Sequence, residues 1–161
     1  MKHVLLAAAF VSSTAIAQPP ERPNTPVFRS GPWFVVRSVR AGEGTACTGF
    51  YRANRHVQLS KDMLVLQTGD EVKGVAFGFD DQPMGAQRAP SIGEKDTKSI
   101  AFTGEDFAKL AKSRKVRIEE VTPQGTMRHE LELNGLAGAL ENINAGCPLP
   151  PQRPVRGKHR S

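Results

Sequence analysis

Cys47 and Cys147 are the only cysteines in this 161-residue chain, and whether they pair decides more about its fold than any other feature. The compartment settles how they are read. The opening "MKHVLLAAAFVSSTAIA" has a cation at Lys2, an apolar run from Val4 to Val11, and Ala15-Ile16-Ala17 as a small-residue cleavage pattern. We read residues 1–17 as a cleavable signal peptide, because the run is well short of the roughly 20 apolar residues that cross a bilayer. No second long apolar run follows, so the expected product is periplasmic or secreted and has no transmembrane segment. In an oxidising compartment Cys47 and Cys147 are expected to form a disulfide. Closing a loop of about 100 residues is worth on the order of 4.7 kcal/mol in the chain-entropy model. The alternative, a reactive thiol, needs a neighbouring base.

What remains after cleavage is the size of one domain. Residues 18–31, "QPPERPNTPVFRSG", are proline-rich and lack apolar periodicity, so an extended linker is expected there. The globular domain is expected to run over 32–147. Residues 148–161 are expected to be a disordered basic tail, since Pro148, Pro150, Pro151 and Pro154 block helix continuation. The formal charge of +6 sits largely in Lys2 and in Arg153, Arg156, Lys158 and Arg160. The domain sum is then close to neutral, which argues against a basic stripe and makes nucleic acid an unlikely partner.

Inside the domain, strands predominate. "PWFVVRSVR" mixes aromatic and β-branched residues, "TACTGFYR" and "HVQLS" follow, and "DMLVLQT" suits a strand covered on both sides. "EVKGVAFGFD" alternates, and its glycines suggest a bulge or a close backbone approach. Residues 80–97 read as a long polar insertion. In "TGEDFAKLAKS" Thr103 and Asp106 resemble a capping box for a short helix. "KVRIEEV" puts Val116 and Ile118, with Glu120 after them, on one face; "TPQG" turns the chain, and "MRHELEL" puts Met127, His129 and Leu131 on one side, a hairpin. A last helix over "NGLAGALENINAGC" starts from Asn134 as cap and ends at Gly146. The expected fold class is α+β and β-rich: an antiparallel sheet, as a sandwich or half-open barrel, with a short helix and a C-terminal helix.

The chemical inventory is thin. After cleavage the domain contains only His56 and His129, at no metal-ligand spacing, and none of the common hydrolase, P-loop or thiol-redox motifs occurs. His129, beside Met127 and Leu131, reads as a half-buried structural imidazole. Glu119 and Glu120 point to opposite faces of a strand and cannot converge. Asp80 and Asp81, at the mouth of the insertion, are the one acidic pair worth testing, and with Arg88 they mark a contact loop. Arg153, Arg156, Lys158 and Arg160 are the candidate contacts to an anionic partner. No catalytic residue, metal site or cofactor is assigned.

The stretch "FAKLAKSRKVRIEEVTPQGTMRHELELNGLAGALENINAGC" resembles the closing segment of small secreted bacterial proteins of the invasion-associated locus B type. The shared pattern is a short helix, a hairpin with a glycine turn, and "LxGLxxAL" leading into a terminal helix; the early "GPW" strand followed by a cysteine is also similar. The resemblance implies a β-rich envelope or secreted protein and brings no catalytic residues with it. The functional expectation is a non-enzymatic binding or accessory protein of the cell envelope, with an envelope protein or anionic envelope polymer as partner. The alternatives are a small periplasmic enzyme and an inhibitor of a hydrolase.

Overall fold

A computed structural model describes residues 26–40 and 44–151; the expected signal peptide and the four tail cations lie outside the described residues. The fold is α+β and strand-rich, as expected, with two antiparallel sheets rather than a closed barrel. The first sheet has six strands: β1 (Pro26–Ser30), β2 (Trp33–Arg40), β3 (Gly44–Tyr51), β4 (Val57–Leu59), β5 (Leu64–Gln67) and β7 (Ser99–Phe102), adjacent in that order. The second orders β6 (Gly74–Phe79), β8 (Lys115–Thr122) and β9 (Gly125–Glu132). Three helices complete it: α1 (Ile92–Thr97), α2 (Gly104–Leu110) and α3 (Leu136–Asn144).

Alternation along the strands builds the core. Trp33, Val35, Tyr51, Val57, Leu59, Leu64, Leu66, Ile100 and Phe102 all leave the first sheet on one side and are buried. They meet Val116, Ile118 and Leu131 of the second sheet and Leu136, Ala139 and Ile143 of α3. Burying such side chains contributes about 1.5–3 kcal/mol each. The buried Trp33 indole and Tyr51 hydroxyl are spent on the backbone of Glu132, at 3.2 Å each, which ties β9 to the first sheet.

The disulfide between Cys47 and Cys147 is present, with the two Cα atoms 5.9 Å apart. It fastens the exit of α3 to β3, where Gly146 and Cys147 both adopt positive φ and the Cys147 amide donates to Asn142 O at 2.9 Å. Among the described residues no helix is long and apolar enough to cross a membrane.

Four expectations are corrected. The ordered domain begins before Pro32: Pro26–Ser30, placed in the linker, is β1, since Pro26 opens an edge strand and Val27 and Phe28 pack against the core. The 80–97 insertion is not one loop; "SIGE" caps α1, with the Glu94 amide bonded to the Ser91 hydroxyl and the Ser91 amide to the Glu94 carboxylate. Thr103 is the N-cap residue of α2, but its side chain makes no capping bond, and Asp106 stands 3.7 Å from Lys109 instead. The N-cap of α3 is Gly135, not Asn134, because the chain turns there at φ 87° against Ser30 O.

Candidate functional site

The insertion folds back on the second sheet. Arg88 pairs with Val75 through both backbone groups at 2.9 Å, and the Gly85 amide donates to Phe77 O at 2.8 Å, so residues 85–88 cover the free edge of β6. Side chains of the returning segment rest over the glycines of that strand. A Cβ on Gly74 would stand 2.2 Å from the Gln87 amide nitrogen, and one on Gly78 would stand 2.8 Å from Met84 Sδ.

Between the returning loop and α2 lies an open groove of about 530 Å³. Its floor is Val75, Phe77 and Phe79 of β6, with the two half-buried rings resting on the buried Phe102 at centroid distances of 4.2 and 6.5 Å. Pro83 and Ala86 form one wall, and Asp106, Lys109 and Lys112 of α2 and its exit form the other.

Arg88 closes one end. Its guanidinium lies 5.4 Å from the Phe77 centroid and donates to both oxygens of Glu94 at 2.8 Å, a bidentate pair. Glu94 is 4% exposed and also accepts from the amides of Ser91 and Ala101. Burial pushes this carboxyl upward; the Arg88 guanidinium and the bonds from Ala101 and Ser91 outweigh it and hold the group down at about 2. The pairing with Glu94 raises Arg88 in turn, against its own desolvation.

Asp80 sits at the other end, at φ 50°, and its Oδ1 accepts from the amides of Arg114 at 2.8 Å and Lys115 at 3.1 Å. Of the three loop residues singled out in the sequence, Asp80 and Arg88 are thus brought to one groove and spent on holding it open. Asp81 is exposed and lines a separate shallow recess with Arg114 and Lys115. His56 lies in the turn before β4 and does not join them. The chain matches no protein family, and no curated protein or solved structure is similar to it.

The groove lining holds neither histidine nor cysteine, and the Ser113 hydroxyl donates to Lys109 O at 2.9 Å. In its wall Asp106 stands 3.7 Å from Lys109. What the groove offers is an aromatic floor with a lysine edge, suited to seating an apolar group that carries negative charge nearby.

A second polar feature escaped the reading of the sequence. Glu120 is fully buried, with one oxygen 2.9 Å from His129 Nε2 and the other without a hydrogen-bond partner. Both had been assigned to one face of each hairpin strand, but their pairing requires the register Ile118↔His129, which composition does not supply. Glu94 had a legible signal, the Ser-x-x-Glu spacing of "SIGE".

Proposed function

We propose that this protein is a non-enzymatic, secreted or periplasmic binding protein of the bacterial cell envelope, and that the groove between the 80–91 loop and α2 seats a segment of an envelope protein. The observation carrying this reading is that Asp80, Arg88 and Glu94 are consumed in bonds that shape the groove, while Phe77 and Phe79 stay accessible on its floor. A preformed apolar floor lowers the ordering cost of binding. The disulfide supports an oxidising compartment, and the resemblance of the closing segment to invasion-associated locus B proteins agrees with an envelope role. The basic tail, with Arg153, Arg156, Lys158 and Arg160, is a second contact arm in this reading.

The test fills the groove. Ala86 is exposed and lines it, so Ala86→Trp adds an indole without disturbing the core. Retention of an envelope-extract protein by immobilised Ala86→Trp is expected to fall at least tenfold against the native chain, with the melting temperature kept. Equal retention by both proteins would overturn the groove as the binding site.

A further inference from the structure

The first sheet buries one face under α3 and the second sheet, and its opposite face is built differently. Paired positions carry a row straight across it: Arg29 beside Phe34, Phe34 beside Phe50, Phe50 beside Gln58, Gln58 beside Val65. At the usual strand spacing the row is roughly 20 Å long. None of these side chains belongs to the core cluster, and Phe34 and Phe50 are half-buried. The two rings stack at 5.5 Å with 24° between their planes, and the Arg55 guanidinium lies 5.7 Å from the Phe34 centroid.

Charge on this sheet is one-sided. None of its six strands contains an aspartate or glutamate. Arg29, Arg52 and Arg55 are exposed around the row, and Arg52 is steadied by a 3.4 Å bond to Gly31 O. Asp62 is exposed in the β4–β5 turn, and Glu119, Glu120, Glu130 and Glu132 stand on the second sheet beside Lys115, Arg117 and Arg128. The near-neutral sum over the domain thus hides a segregation, and the cationic side coincides with the aromatic ridge.

We propose that this face binds an anionic polysaccharide. Guanidinium forks match carboxylates bidentately and hold them without acid–base chemistry. The Phe34–Phe50 ridge supplies apolar contact for the carbon faces of sugar rings between the charges. Single-stranded nucleic acid, whose bases stack on free aromatic faces, is the polyanion that the experiment sets against it. The site is distinct from the groove, so the two proposals stand or fall separately.

The experiment measures binding of the full mature chain to polygalacturonate, with neutral dextran and a single-stranded oligonucleotide as comparisons, at low and moderate salt. Polygalacturonate is expected to bind, more weakly as salt rises, and dextran is not. The triple variant Arg29→Gln, Arg52→Gln, Arg55→Gln should lose at least tenfold, as should Gln58→Glu, which puts a carboxylate into the row. Lys95→Gln, which removes an exposed cation of α1, should stay within threefold of the native chain, and with Arg153, Arg156, Lys158 and Arg160 changed to Gln the loss caused by the face variants should persist. Arg29, Arg52, Arg55 and Lys95 are exposed and Gln58 is half-buried outside the core cluster, so the fold is expected to be retained, and melting curves verify it. Unchanged polygalacturonate binding in both face variants, loss only with the tail cations, or tighter face-dependent binding of the oligonucleotide would each overturn the proposal.

Discussion

Glu120 and His129 carry the sharpest local consequence of the fold. With His129 removed, a fully buried carboxylate keeps no partner on either oxygen. His129→Ala is expected to cost about 2 kcal/mol or more, whereas the double variant Glu120→Leu, His129→Leu should recover most of that, because an apolar pair needs no partner. Urea denaturation of the two proteins decides it; equal losses would show that the pair is not what holds the carboxylate. Gly135 makes a similar point through the backbone. A Cβ there would stand 2.3 Å from Ser30 O at a φ of 87°, and Gly135→Ala should lose about 2 kcal/mol or more. Gly138, by contrast, faces the Phe28 ring at 3.1 Å and Ser30 Cβ at 3.9 Å, and Gly138→Ala should change stability by about 1 kcal/mol or less, since helix propensity offsets the crowding. The two glycines look alike in the sequence, and the structure separates the turn glycine from the contact glycine.

Elements differ in how far they can be read ahead. The hairpin of β8 and β9 was legible because its two-residue turn follows a strand, β8, of strict inward–outward alternation. The 80–97 segment was not, because its order comes from pairing with the edge of β6 and from one ion pair, neither of which leaves a hydrophobic period. That ion pair makes a pH prediction. The Glu94 carboxyl is lowered from an ordinary 4.5 to about 2 in the folded protein, so its stabilisation is fully present above pH 4.5 and is lost as pH falls towards 2. The native chain should therefore exceed Glu94→Gln by up to about 3 kcal/mol at pH 5, with the difference vanishing near pH 2. Denaturation at both pH values reads the difference directly, and a constant gap would contradict the assignment.

Across the whole molecule, the disulfide and the distribution of charge matter most. The Cys47–Cys147 pairing was foreseeable from two cysteines behind an expected signal peptide, and it joins the last helix to the central strands. Replacing both by serine should cost on the order of 4 kcal/mol, read as the shift in denaturation midpoint, and a reductant should reproduce it in the native chain. The segregation of charge was equally present in the sequence but was averaged away, because net charge says nothing about which strands share a sheet. The binding reading is tested most directly inside living cells, with a photo-reactive residue at Lys112 on the groove's edge. Binding in the groove requires one dominant cross-linked envelope protein that disappears when Ala86→Trp is added. Cross-links that persist unchanged with the groove filled, or no cross-linked partner at all, would contradict it.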